Sequence, residues 1–145
     1  MAPVPIAVVL LVDPRGWLLL QERDAGAPRA PDQWGMVGGH VEEGEDFEPA
    51  AYRELEEETG LVLDPGSLQL WRDAEFTYSD GHHGRYHVYA GAVAVTDADI
   101  VVGEGRRIVF VDPATVPDLD LAESSRHFVP EFLLSDLYES LRSAS

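Results

Sequence analysis

Polar and apolar positions along the chain fall into blocks whose spacing predicts a small set of elements. Residues 6–12 are an unbroken apolar run and residues 17–20 a second, separated by Asp13-Pro14-Arg15-Gly16. Proline and glycine favour turns, so the two runs predict a hairpin of core strands. Residues 24–33 carry Gly26, Pro28 and Pro31 among polar and alanine residues and predict an exposed loop able to line a ligand site. From Asp46 the period becomes helical: Asp46 suits the N-cap, Glu48 the positive end, Pro49 the first turn and Gly60 the position after the last turn. Strands are predicted over 68–78 and 86–95, about a polar turn at 79–84, with a shorter one over 108–111. Leu134, Leu137, Tyr138 and Leu141 follow helical spacing. Mixed strands with helices before and after them predict an α/β or α+β fold, a mixed sheet covered by helices, with residues 1–145 as one domain.

The central helix has an unfavourable charge pattern. On a wheel of about 100° per residue, Glu54, Glu57 and Glu58 share an arc of about 100°, while Glu56 points away. The arc borders Phe47, Ala51 and Leu55, the expected core stripe, so its surroundings are expected to be partly dry. Like charges three and four residues apart oppose helix formation by roughly 0.2–0.5 kcal/mol per pair. Anions in the last turn also oppose the helix dipole, by about 0.3–1 kcal/mol each. Arg53 offers local compensation through its spacing to Glu57. A solvated acidic face is the ordinary reading of such a helix, but the cost, the position and the neighbouring Gly38-Gly39 point to metal binding.

Composition sharpens this. The formal charge is −17, from 10 arginines, no lysine and 27 acidic residues. Such a field repels duplex nucleic acid and anionic membranes, so neither is an expected partner. A polyphosphate ligand would then need divalent cations held by carboxylates. With no cysteine, a disulfide framework, a thiolate zinc site and a cysteine nucleophile are all excluded. The start has no basic segment followed by a long apolar one, and a cytoplasmic location is expected.

Gly39, Glu45 and the run Arg53-Glu54-Leu55-Glu56-Glu57-Glu58-Thr59-Gly60-Leu61 stand at the spacing Gly-x5-Glu-x7-Arg-Glu-U-x-Glu-Glu-x-Gly-U, where U is aliphatic. All nine defined positions agree, and the chain resembles the Nudix (MutT-like) hydrolase family. The resemblance implies an α/β/α sandwich and a Mg²⁺-dependent enzyme, with Mn²⁺ a substitute. The Gly38 carbonyl, Glu54, Glu57 and Glu58 would be the metal ligands. Arg53 would orient Glu54 and Glu45 by charge-assisted hydrogen bonds. Val37 stands where the family often has proline before the Gly-Gly pair. The general base would be Glu54 or a carboxylate on a later loop, and Glu104, between Gly103 and Gly105, is the best later candidate.

Residues outside the box carry weaker signals. Arg23, at a strand end, is a candidate contact for substrate phosphate or base, and Tyr78 a candidate base-stacking residue. His82, His83 and His87 read as solvated rather than as a metal cluster. Asp97-Ala98-Asp99 opens like a calcium loop but fails its next ligand and turn positions at Val101 and Gly103. Phe76 and Thr77 stand where the family's ADP-ribose hydrolases carry a proline, which argues against that substrate. The expected activity is cleavage of a phosphoanhydride bond in a small nucleotide, first a (deoxy)nucleoside triphosphate to monophosphate and pyrophosphate. Nucleotide sugars and dinucleoside polyphosphates come next, and a silent nucleotide-binding regulatory module stands as a distinct alternative. Oligomeric state is left open, a homodimer among the options.

Overall fold

The structure, a computed structural model, describes residues 2–143. Alternation within the first apolar run sends Ile6, Val8, Leu10 and Val12 to one face and Ala7, Val9 and Leu11 to the other, and both sets are buried. A strand covered on both faces has to be central. This strand, β1 (Val4–Val12), pairs antiparallel with β2 (Leu18–Glu22) at Val12 and Leu18, closing the predicted hairpin. The same side of the sheet carries β3 (Trp34–Gly35), paired with β2, and β4 (Val37–His40), antiparallel to the first half of β1. Next in the chain come α1 (Phe47–Thr59), β5 (Gln69–Thr77) and β6 (His83–Ala92). β6 runs parallel to β1 along its full length and antiparallel to β5, and β7 (Arg107–Val111) joins β2. The result is one mixed seven-stranded sheet.

Helices close both faces. Ala50, Ala51 and Leu55 of α1 pack on the Ala7, Val9 and Leu11 side. α2 (Glu123–Leu133) and α3 (Asp136–Arg142) cover the other through Phe128, Val129, Phe132 and Tyr138. This is the expected α/β/α sandwich. Val37, in the place of the family's proline, is a fully buried strand residue opposite Val9.

Several details depart from the sequence reading, among them the unpredicted strands β3 and β4 and the end of β6 at Ala92, where the reading ran to 95. β6 begins at His83 rather than 86, because pairing continues through Gly84 opposite Phe76 to a tight turn closed by Tyr78 N–H on the His82 carbonyl, 2.8 Å. Leu134 ends α2 at 88% exposure instead of joining the last helix, which starts after the Ser135 cap. α2 itself was not predicted. Among the described residues, no helix is long and apolar enough to cross a membrane.

Candidate active site

α1 starts and stops where its end residues dictate. Asp46 occupies the N-cap in extended conformation, and Gly60 takes φ 76°, a left-handed turn that lets its amide reach the Glu56 carbonyl at 2.8 Å. With Ala51 and Leu55 turned into the core and Glu56 exposed, the Glu54 and Glu58 side chains are left to face β4. Glycine there permits close approach. A Cβ on Gly39 would stand 2.8 Å from the Glu54 carboxyl carbon, and the Gly38 amide donates to Glu58 Oε2 at 2.8 Å.

Arg53 organises the exposed side of the cluster. Its Nε and Nη2 donate to Glu45 at 2.8 and 3.0 Å, and its Nη1 donates to Glu54 at 3.1 Å and Glu57 at 3.0 Å. Nη2 also reaches the His40 carbonyl at 3.1 Å, tying the helix to β4. The three carboxylates of the helix arc are therefore unequal: Glu58 is buried, Glu54 mostly buried, and Glu57 lies outside at 57% side-chain exposure.

This burial has an electrostatic consequence. Desolvation raises Glu58 to about 8; the charges of Glu54 and Glu104 push the same way, and the Gly38 hydrogen bond opposes them. Burial also raises Glu54, against the pull of Arg53, whereas the Arg53 hydrogen bond holds Glu45 below the usual carboxylate range.

Glu104 arrives from a loop fastened to the end of α1. Val101 N–H donates to the Thr59 carbonyl at 2.9 Å and Gly103 N–H to the Glu58 carbonyl at 2.8 Å, pairing helix-end oxygens that otherwise lack partners. The approach is so close that a Cβ on Gly103 would lie 2.1 Å from the Glu57 carbonyl oxygen. Gln21 Nε2 fixes the Glu104 carbonyl at 2.8 Å, and Gly105 has φ 88°.

Glu54, Glu58, Glu104, Gly38, Arg23 and Tyr78 all line one cleft of about 700 Å³. Arg23 is half-buried, its Nε on the Arg29 carbonyl at 2.7 Å, and its charge favours ionised Glu58. Tyr78 is also half-buried, its hydroxyl bonded to that of Tyr86. Glu45 and Glu57 are not among the lining residues; they reach the site through Arg53.

The sequence reading missed Arg29, Tyr86 and the wall formed by Glu123, Ser124 and Ser125 at the start of α2. The spacing of Ser125, Phe128, Val129 and Phe132, at i, i+3, i+4 and i+7, could have revealed that helix. The histidines have separate partners: His82 meets Asp80, His83 meets Thr77, and His87 stacks on Phe47. Asp97 accepts from the Phe110 amide and Asp99 from the Thr96 amide, which accounts for both carboxylates of the rejected calcium motif.

Among the described residues, no three His, Asp or Glu side chains converge as a metal-binding group, since Arg53 holds Glu54 and Glu57 while the Gly38 amide holds Glu58. The donors nevertheless fit a hard divalent cation. They are all oxygen, their mutual repulsion is only partly offset, and Gly39 leaves the Glu54 carboxylate the space a Cβ would fill.

An α/β/α sandwich in which one helix turns acidic residues toward a Gly-Gly strand and a polar cleft defines a Nudix-type protein. The NUDIX domain family model matches residues 2–132, and the chain belongs to this family of hydrolases acting on pyrophosphate bonds. It is similar to an uncharacterized Nudix hydrolase of Listeria innocua, 29% identical over 133 residues, covering 90% of this chain and 75% of that relative. It is also similar to the dihydroneopterin triphosphate diphosphatase of Escherichia coli, 31% identical over 147 residues, covering 92% and 93%. In fold it resembles the MutT protein of Methanosarcina mazei, with a TM-score of 0.73 at 22% identity, covering 90% of this chain and 93% of that one.

Proposed function

We propose that the chain is a Mg²⁺-dependent pyrophosphohydrolase of small nucleotides, acting first on (deoxy)nucleoside triphosphates to yield monophosphate and pyrophosphate. The observation that carries this reading is the buried pair Glu54 and Glu58, both raised by burial, beside Glu104 in a cleft that also holds Arg23. The similar chain from Escherichia coli, named as a dihydroneopterin triphosphate diphosphatase, supports cleavage of a triphosphate to pyrophosphate.

Glu54, Glu57, Glu58 and the Gly38 carbonyl would hold Mg²⁺, with Mn²⁺ able to replace it. When bound, the cation supplies Lewis acidity, acidifying water and offsetting charge on the leaving phosphate. Arg53 positions Glu54 and Glu57 and is itself held by Glu45. Arg23 neutralises a substrate phosphate, and Tyr78 offers a face to the base. Glu104 takes the proton from the attacking water, a role for which its place opposite Glu54 and Glu58 is suited.

A screen of nucleoside triphosphates, nucleotide sugars and dinucleoside polyphosphates with Mg²⁺ tests this. A triphosphate is expected to give the nucleoside monophosphate and pyrophosphate, with label from ¹⁸O-water entering one product in a single turnover. Orthophosphate and a nucleoside diphosphate as the sole products would overturn the triphosphate reading.

A further inference from the structure

We infer that Arg29 is the movable jaw that closes on the planar heterocycle of the substrate against the fixed ring of Tyr78, and that it determines specificity for that ring. This rests on the nucleotide reading above. Tyr78 is fixed from two sides. Its hydroxyl bonds to that of buried Tyr86, and its ring meets Phe76 edge to face, with centroids 5.2 Å apart at 88°. Tyr86 in turn packs on Phe128 at 5.2 Å, so the tether ends in the core.

Over the Tyr78 ring lies the guanidinium of Arg29, its Cζ 4.5 Å from the ring centroid. A planar cation on an aromatic face is in the position a heterocycle would take. Little holds it there. Its ion pair with Asp80 is 3.3 Å long, and both side chains are about half exposed, at 47% and 49%, a setting in which ion pairs contribute little. Withdrawal of Arg29 by about one ring thickness would seat the heterocycle between tyrosine and guanidinium, giving two stacked faces in place of one.

The backbone of the same residue faces the phosphate end. The Arg29 carbonyl accepts from Arg23 Nε at 2.7 Å, so the residue that meets the ring also aims the arginine assigned to phosphate. Ala30 and Asp32, just beyond, have φ of 53° and 62°, left-handed conformations that are uncommon for a residue with a side chain, alanine especially. Asp32 is fixed by the Arg106 guanidinium at 2.6 Å and by its own amide on the Asp24 carbonyl at 3.2 Å. The loop thus holds the Arg29 backbone while leaving its side chain free to move. Arg29 lies over Tyr78 and makes none of the box contacts that Arg53 makes, so its role is recognition of the ring.

The test compares hydrolysis by the Mg²⁺-loaded protein of a purine nucleoside triphosphate and of a deoxyribose triphosphate lacking the base, for wild type, Arg29→Ala, Arg29→Lys and Tyr78→Leu. Wild type is expected to favour the purine substrate by about tenfold or more in kcat/KM, the scale of one stacking contact. Arg29→Ala should cost the purine substrate about tenfold more than the abasic one, mainly through KM. Arg29→Lys, which keeps the charge without the plane, should fail to restore the preference, and Tyr78→Leu should lose it too. Equal losses on both substrates, or full rescue by lysine, would show that Arg29 acts by charge or loop structure and would overturn the jaw. A wild type that hydrolyses both substrates equally overturns the jaw and leaves the hydrolase reading standing. A wild type that hydrolyses neither overturns the triphosphate reading and the jaw together.

Discussion

Glu54 and Glu104 differ in what they already hold. Glu54 accepts from Arg53 and is pressed against Gly39, so one of its oxygens is already engaged by the guanidinium. Glu104 is exposed to the cleft, and among the described residues its carboxylate makes no hydrogen bond or ion pair; only its backbone carbonyl is engaged, by Gln21. A carboxylate with no other partner would be the freer of the two to take a proton from an attacking water. Glu104→Gln is therefore expected to lower kcat by about 10²–10⁴ with little change in melting temperature or metal affinity. Turnover within about threefold of wild type would return the base to Glu54 or another carboxylate. At this scale the sequence was most legible where spacing multiplies constraints: Arg53 contacts Glu45 and Glu54, the partners the resemblance implies, and Glu57, the partner its helical spacing offers. Arg29 was not legible, because a single arginine in a loop carries no period and acquires its place only when another strand brings Tyr78 beneath it.

α1 and the loop that precedes β7 form one unit. The loop amides of Val101 and Gly103 cap the helix carbonyls of Thr59 and Glu58, and the glycine is what permits the contact. Gly103→Ala would drive a methyl group into the Glu57 carbonyl. The loop must then lift, costing about 1–3 kcal/mol of stability, as overpacking does. The same lift carries Glu104 away, so kcat should fall although the carboxylate is retained. Thermal melting and steady-state rates check this, and a variant with wild-type values for both would refute the fastening of loop to helix. The central strands and α1 could be read beforehand because their periods are clean and their ends marked, as by Gly16 and Gly60. α2 escaped because Pro130 lies inside it and Ala122, at its N-cap, offers no capping side chain. Packing of Phe128, Val129 and Phe132 on the sheet holds it in place of those local signals.

Over the whole molecule, a charge of −17 surrounds a site with one buried and one partly buried carboxylate, Glu58 and Glu54, and that burial ties stability to protons. Substrate identity was least legible for the same long-range reason: the cleft is walled by loop 24–33, by Tyr78 and by the start of α2, segments that only the fold brings together. Glu58 is raised from 4.5 to about 8, so the folded state binds that proton more tightly than the unfolded chain does. Its contribution is fully present below about 4.5 and is lost as pH rises toward about 8. His87, lowered by burial, works in the opposite direction, its contribution falling as pH drops below 6.5. Glu58→Gln leaves His87 in place and replaces the titrating carboxyl by a neutral amide, so the difference between wild type and variant isolates the site.

The most direct measurement is the melting temperature of wild type and Glu58→Gln from pH 5 to pH 8.5, in EDTA and in Mg²⁺. In EDTA, wild type should lose stability with rising pH more steeply than the variant, at about 2–4 °C for each kcal/mol in a chain near this length. Mg²⁺ should restore wild type at the alkaline end and do much less for the variant, because binding to the folded state alone stabilises it. Parallel pH curves together with equal Mg²⁺ shifts in the two proteins would contradict the assignment of this carboxylate cluster as a divalent-cation site.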